Sequence, residues 1–155
     1  MNRDRDDTGR PRNARARDTL GRPLPPGAEG VPRIPDDLEL PPAETLDYAQ
    51  DLLNRGLAFN AHEVFEAAWK NGPHEERALW QGLAQFAVGI THVQRGNYKG
   101  GAALLRRASA LLADVTTVPY GVDTAGLIEA AVTLADDVGA GTVVDPARLK
   151  FRLTR

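Results

Sequence analysis

The sequence contains no cysteine, which excludes disulfides, thiolate metal ligands and a cysteine nucleophile. It has no apolar run near the roughly 20 residues that a membrane-spanning helix needs. Its arginine- and aspartate-rich start lacks the apolar segment of a secretory signal. Neither charge dominates, because 19 basic and 21 acidic residues leave a net charge of −2, which is not the basic footprint of a nucleic-acid-binding protein. We therefore expect a cytoplasmic protein with no membrane or nucleic-acid partner; other partners, including a second copy of the chain, stay open.

Common catalytic signatures are missing as well. The zinc-protease motif H-E-x-x-H is not formed, because His62-Glu63 is followed by Glu66 and not by a second histidine. The Glu-x-x-His pair of di-iron bundles is absent, as are the P-loop and the dinucleotide-binding glycine pattern. Ser109 is the only serine, and no histidine lies near it in the sequence. Whether the protein is an enzyme is therefore left undecided by motifs.

Residues 1–41 lack hydrophobic periodicity and hold eight arginines and eight acidic residues among several prolines. Such a polar, proline-broken segment cannot bury enough apolar surface to offset the entropy lost on ordering. We predict a disordered arm over residues 1–41, and we expect that removing Met1–Ile34 leaves stability nearly unchanged.

From residue 42 to residue 142 the apolar residues recur at helical spacing, and no strand pattern interrupts them. We predict an all-α, single-domain bundle of about five helices with short antiparallel connections. Residues 143–155 then form a tail, a strap or an edge strand. The expected helix boundaries are a start at Pro42 and a stop at Gly56, an N-cap at Asn60 and a stop at Gly72-Pro73, a third helix over His74–Arg95, a fourth over Tyr98–Ala113 and an N-cap at Asp123.

One face of the second helix carries most of the candidate functional residues. On a helical wheel, His62, Phe65, Glu66 and Trp69 fall within one arc, whereas Glu63 lies on the other side and is expected to serve the cap and the solvent. Glu66 shares its face with two aromatic residues, so it should be partly buried and need a partner. His62, four residues earlier, is the natural partner, and Trp69 would cover the pair.

The third helix carries a polar stripe of Gln81, Gln85 and His92. This stripe either looks across at the second helix or faces water. The short Gly72-Pro73 turn favours Gln81 and Gln85 as the neighbours of the pair and leaves His92 more than two turns away. His92 is therefore the least favoured of the candidate ligands.

In order, these elements resemble family 309 of the domains of unknown function, which comprises small bacterial and archaeal proteins. The similarity rests on His62-x3-Glu66-x2-Trp69, Glu76-Arg77-x3-Gln81-Gly82-Leu83-x-Gln85 and Arg95-Gly96-Asn97, and on Tyr120-Gly121-Val122-Asp123 before the last helix. It covers roughly residues 43–134. The resemblance implies an all-helical domain with a His/Glu motif suspected of binding metal, and with no established activity.

Two hypotheses remain for this face. In the first, His62 and Glu66, with His92 as a third ligand and Gln85 near it, bind zinc, manganese or iron, and an open coordination position supports hydrolysis. In the second, His62 and Glu66 form a metal-free polar network, and the domain is a helical interaction module.

Overall fold

The computed structural model describes residues 4–5, 11–12, 20, 22, 34–35, 37–116 and 119–154. Over this part of the chain the protein is an all-α bundle, as predicted. Its helices are α1 (Pro42–Asn54), α2 (Ala58–Asn71), α3 (Arg77–Gln94), α4 (Tyr98–Ala113) and α5 (Thr124–Gly139). Three 3₁₀ turns cover His74–Glu76, Pro119–Gly121 and Pro146–Leu149. Two-residue strands, β1 (Asp4–Arg5) and β2 (Pro11–Arg12), pair antiparallel.

Several helix ends lie where local chemistry predicts them. Pro42 occupies the first turn of α1, where its missing N–H costs nothing. Gly56 follows that helix with φ of 77°, a left-handed conformation that glycine adopts without strain. Asn97 and Asp123 cap α4 and α5, each accepting a hydrogen bond of 3.1 Å from the amide three residues later.

The predicted start of α2 was wrong. The helix begins at Ala58, Leu57 occupies the cap position without a side-chain hydrogen bond, and Asn60 lies buried inside the helix. Leu57 and Ala58 are themselves core residues, so burying them extends the helix upstream of the expected cap. The third helix is also shorter than predicted, because its first residues form the 3₁₀ turn His74–Glu76.

Consecutive helices pack on one another, so α2 and α4 both lie against α3. Glycines let α4 approach α3 closely. A Cβ atom added at Gly82 would lie 2.9 Å from a methyl carbon of Leu112, and one added at Gly89 would lie 2.8 Å from Cγ of Leu105. Gly101 of α4 fits against the backbone oxygen of Gly89, 3.2 Å from where its Cβ would be. Glycine in Gln81-Gly82-Leu83 is thus a packing requirement.

The C-terminal segment packs across the bundle, and we call it the strap. Gln50 of α1 donates to the carbonyl of Phe151 (2.7 Å) and accepts from the amide of Leu153 (2.8 Å). Thr154 forms an isolated antiparallel bridge with Val122. Leu153 is buried, so side-chain packing and backbone hydrogen bonds hold the strap together.

Several described residues of the N-terminal region contact the bundle. Ile34 is buried in the core, and the carbonyl of Leu20 accepts a hydrogen bond of 2.8 Å from Nε of Arg95. Most of the predicted disordered arm, residues 1–41, lies outside the described residues. Because Ile34 is buried, this region nevertheless contributes a residue to the hydrophobic core.

Candidate functional site

His62 and Glu66 lie together on α2, as predicted from their spacing. Nε2 of the histidine is 3.1 Å from a carboxylate oxygen of Glu66, and their side chains are 18% and 37% exposed. Nδ1 of the same ring donates to the carbonyl of Phe59 at 3.3 Å. Both ring nitrogens thus face acceptors, an arrangement that the doubly protonated imidazolium satisfies completely.

Glu66 also has a second cation beside it. Nζ of Lys70 lies 3.8 Å from its other carboxylate oxygen. The hydrogen bond from His62 is the main reason that the pKa of Glu66 lies below its ordinary value, and burial opposes this effect. The charges of His62 and Lys70 lower the pKa of Glu66 further. His62, Glu66 and Lys70, each four residues from the next, therefore form one row of interacting side chains along α2, which we call the charge ladder.

Glu63 was assigned to the solvent, and this assignment is wrong. Its residue is only 8% exposed, whereas the side chain of Glu66 is 37% exposed. Because α2 packs on both α1 and α3, its buried arc is wider than the aromatic face alone and includes Asn60 and Glu63. A wheel built around the aromatics cannot show this, since a second neighbouring helix covers the other flank.

The aromatic residues of this face contact different side chains. Phe65 is buried and stacks on Trp80, with ring centroids 6.5 Å apart. Trp69 lies under the guanidinium of Arg77, which is 5.5 Å from its ring centroid. Within the described residues, His62 has its aromatic contact with Phe59.

The polar stripe on α3 is half-buried along its whole length at Gln81, Gln85, Val88 and His92. Oε1 of Gln85 is buried and has no hydrogen-bond partner among the described residues. The stripe is therefore neither a fully solvated face nor part of the packed core.

His92 lies at the end of α3 and is engaged there. Asn97 caps α4 with its Oδ1, so its Nδ2 is the atom that donates to Nδ1 of His92, at 3.0 Å. Nδ1 of His92 is therefore an acceptor, and its proton belongs on Nε2. Burial, assisted by the charge of Arg95, lowers the pKa of His92. In Arg95-Gly96-Asn97, Arg95 bonds to Leu20, Gly96 makes the left-handed turn and Asn97 caps α4.

A metal site needs several ligand atoms close enough together to bind the same ion. In the described part of the chain, no group of three or more His, Cys, Asp or Glu side chains is placed to hold a metal ion. His62 and Glu66 remain as a two-donor pair, and His92 uses Nδ1 for Asn97. Within the part of the chain that the structure describes, a zinc, manganese or iron site at this pair would therefore draw on two donors.

A second polar cluster was not predicted. Glu76 accepts from Nε1 of Trp80 (3.0 Å) with one carboxylate oxygen and from the hydroxyl of Tyr120 (2.6 Å) with the other. Tyr120 stacks on Trp80, which in turn stacks on Phe65. Because Tyr120 donates to a carboxylate, its pKa is raised above the ordinary value of 10.0. The spacing of four between Glu76 and Trp80 was a local signal for half of this cluster.

Glu76 and Trp80 also line a pocket of about 270 Å³ between the start of α1, the end of α2 and the 3₁₀ turn that precedes α3. We call this the α1–α2 pocket. Its remaining lining residues are Leu38, Glu39, Leu40, Pro42, Thr45, Val64, Ala67, Ala68, Asn71, Gly72 and Pro73. Most of them are apolar, as in small-molecule sites generally.

These features define a small all-α domain with a charge ladder on α2 and a carboxylate fixed at a pocket. The model of a family described as a domain of unknown function (DUF309) matches residues 46–104, which confirms the resemblance predicted from the sequence. The chain is also similar to an uncharacterized protein of Aquifex aeolicus (strain VF5), with 29% identity over 112 residues. The match covers 72% of this chain and 33% of the relative, so the chain spans about a third of that relative's length. No solved structure matches.

The family match contains the ladder and both Glu76 and Trp80, but it ends before Tyr120. The comparisons leave the function of the family unknown and do not test whether the pattern HxxxExxW characterises it. Among the described helices, none combines the length and the apolar character needed to cross a membrane.

Proposed function

We propose that the protein is a helical binding domain and that its ligand binds in the α1–α2 pocket. One observation carries this proposal: both oxygens of Glu76 accept hydrogen bonds, from donors on two different elements, where the carboxylate lines a pocket. Two donors fix the orientation of a carboxylate before any ligand arrives, and such preorganisation lowers the entropic cost of binding.

The lining supports binding over catalysis. It offers two carboxylates, Glu39 and Glu76, and one hydroxyl, Thr45, but no histidine, lysine, serine or cysteine among the described lining residues. The Thr45 hydroxyl already donates to the carbonyl of Leu40, at 3.4 Å. Because this proton is bonded to a carbonyl and not to either carboxylate, the hydroxyl and the carboxylates do not form the nucleophile–base pair of covalent catalysis.

A pocket-filling variant tests the proposal. Ala68→Met adds a long side chain at a half-buried lining position, and Ala102→Met makes the same change at a half-buried position of α4. A library of small cations, anions and neutral compounds is screened by ligand-observed NMR. We expect compounds that bind the wild type and Ala102→Met but not Ala68→Met. If no compound of any class binds, or if all hits survive Ala68→Met, the proposal is wrong.

A second candidate function is divalent-metal binding by His62 and Glu66, with hydrolysis as its enzymatic form. Two ligands with bonds of about 2.1 Å at right angles on one ion are about 3.0 Å apart, and these atoms are 3.1 Å apart. The bond from Nδ1 to Phe59 leaves Nε2 free for a metal when the imidazole is neutral.

Calorimetric titration of the tag-free protein with zinc, manganese and iron(II) salts tests this candidate. We expect binding that Glu66→Gln weakens at least tenfold and that Glu75→Gln, a change at an exposed glutamate outside α2, leaves unchanged. Equal binding to both variants, or no binding to the wild type, would remove this candidate. Hydrolysis would additionally require turnover that is lost in Glu66→Gln.

We further propose a cytoplasmic location, on the absence of cysteine. The net charge of −2 argues against a nucleic-acid partner. A helical protein-interaction role and self-association are compatible with the same fold. Size-exclusion chromatography with light scattering measures the second of these directly.

A further inference from the structure

We propose that the α1–α2 pocket selects a small organic cation, an ammonium group carrying an apolar body, with Glu76 as its counter-ion and Tyr120 as the residue that positions Glu76. This inference rests on the proposed binding function and names its ligand class. It follows from the charge of the lining, the end of α2, the anchoring of Glu76 and the apolar walls.

The lining carries charge of one sign. Glu39 and Glu76 supply two carboxylates, and no lysine, arginine or histidine is among the described lining residues. Lys70, adjacent to lining residue Asn71, is already beside Glu66. An anionic ligand would be repelled here, whereas a cation would gain a direct partner in a partly desolvated place.

The backbone brings partial charges of both signs to the pocket, positive at the start of α1 and negative at the end of α2. The helix α2 ends at the pocket, and the C-terminal end of a helix carries about half a negative charge from its free carbonyls. Gly72 follows α2 in an extended conformation, with ψ of 179°, and Pro73 has no N–H to donate. An ammonium group placed at this end would donate to its free carbonyls.

Tyr120 holds Glu76 at a conformational cost. Its φ of 63° places it in the left-handed region, which costs a residue other than glycine of order 1–3 kcal/mol. The conformation is kept by the stack on Trp80 and by the short bond to Glu76. A strained residue whose polar contact fixes a pocket carboxylate has the role of a positioning residue.

The other walls of the α1–α2 pocket are largely apolar, so we expect the rest of the ligand to be apolar as well. Val64, Ala67 and Trp80 are buried lining residues, and Leu38, Leu40 and Ala68 are half-buried ones. A volume of about 270 Å³ suits a compact molecule, just below the usual range for drug-sized ligands. A purely inorganic cation would leave these walls without contact, so an organic body is required.

The test uses three probes of one chain length: hexylammonium, hexanol and hexanoate. Each is titrated into the full chain while the indole N–H signal of Trp80, assigned with Trp80→Phe, is followed by NMR. We expect saturable shifts with hexylammonium and at least tenfold weaker binding of hexanol and hexanoate. Glu76→Gln should weaken hexylammonium binding at least tenfold, and Glu75→Gln, an exposed neighbour outside the lining, should not.

Tyr120→Phe tests whether Tyr120 positions the Glu76 carboxylate for binding or only stabilises the fold. It keeps the ring stack and removes the bond to Glu76, so we expect several-fold weaker binding of hexylammonium by a protein that still unfolds cooperatively. Equal affinity for the three probes, or no shift with any of them, would overturn the cation inference, and the outcome with wild-type protein decides even if Glu76→Gln fails to fold. If the library screen still finds hits that Ala68→Met abolishes, the binding function stands without the cation.

Discussion

At the scale of single residues, the ladder on α2 sets Glu66 between two basic side chains. His62 and Lys70 each lie one turn from Glu66, on opposite sides along the helix. Such pairs are worth a few tenths of a kcal/mol when exposed and more when partly buried. With its side chain 37% exposed, Glu66 belongs nearer the lower value, because water screens it.

Glu66→Gln should destabilise the protein by about 0.3–1 kcal/mol at neutral pH, the scale of a partly exposed ion pair. The folded protein lowers the pKa of Glu66 below 4.5, so this stabilisation is fully present above that pH. It is lost as the pH falls through the lower, folded-state pKa. Urea melts of both proteins from pH 7 to pH 3 check this. A difference that grows as the pH falls below 4.5 would contradict it.

Residue roles fixed by local chemistry could be predicted, and those fixed by distant neighbours could not. Asp123 was predicted as a cap because its side-chain oxygen can reach an amide three residues on, and Asn97 makes the same local bond at the start of α4. The pair of His62 and Glu66 is local in the same way. Glu63 was misplaced because its burial depends on helices that meet α2 from two sides.

At the scale of elements, the closest packing is that of α3 on α4. Gly82 and Gly89 on α3 and Gly101 on α4 leave no room for a side chain. Leu105 and Leu112 fill the space that a larger residue would need. These glycines weaken their helices by about 1 kcal/mol each relative to alanine, so the packing they allow must offset that loss.

Gly89→Ala tests this balance. An added Cβ would lie 2.8 Å from Cγ of Leu105 and 3.2 Å from its backbone nitrogen, so the helices would have to move apart. We expect a loss of about 1–3 kcal/mol, the usual cost of overpacking. Gly139→Ala at the end of α5 meets nothing within 4 Å and should be neutral or stabilise by up to about 1 kcal/mol. Denaturant melts giving equal effects at the two sites would refute the packing argument.

Helix boundaries were predictable where glycine, proline or a capping side chain marks them. The stop at Gly56 and the span Tyr98–Ala113 follow such signals. The start of α2 has none, because core packing of Leu57 and Ala58 decides it. Spacing alone could not resolve the short 3₁₀ turn at His74–Glu76 from the helix that continues it.

At the scale of the whole molecule, the core extends beyond the helices. Ile34 is 5% exposed within it, although it precedes the first helix by eight residues. The sequence hides this contribution, because one apolar residue among prolines and charges has no period to reveal it. Removing Met1–Ile34, expected from the sequence to be harmless, would also remove this core residue.

Ile34→Ala should lower the free energy of unfolding by about 2–5 kcal/mol, as for other buried isoleucines. Asp37→Ala, an exposed neighbour, should change it by less than about 0.5 kcal/mol. Thermal melts followed by circular dichroism compare the two. If Ile34→Ala melts like the wild type, the segment does not contribute to the core in solution.

The candidate site shows the limit of a sequence more sharply than the fold does. Glu76 and Tyr120 are 44 residues apart, and only the packing of the whole bundle brings their oxygens to 2.6 Å. The contact between Glu76 and Trp80 can be expected from their spacing of four residues in the sequence. The contact with Tyr120, which completes the candidate binding site, cannot be read from the sequence.

The strap held by Gln50 bears on the order in which the chain folds. Its two hydrogen bonds to Gln50 join residues 101 and 103 positions apart, and closing a loop of about 100 residues costs about 4 kcal/mol in chain entropy. Two hydrogen bonds of about 1 kcal/mol each do not offset this cost, so the strap can close only once the bundle presents its apolar surface. We therefore expect the strap to dock last in folding and to open first in the native state.

Native-state hydrogen exchange measures that opening through the amide of Asp123, which donates to the carbonyl of Leu153. Gln50→Ala should weaken the strap by about 1–2 kcal/mol and speed exchange at Asp123 about 5- to 30-fold. Asn54→Ala, which removes only an exposed partner of Gln50, should leave it unchanged. Amides in the middle of α3 should keep their slow exchange in both variants, because the strap opens without unfolding the bundle. Equal acceleration at Asp123 and in α3 would instead mean that strap and bundle form one cooperative unit.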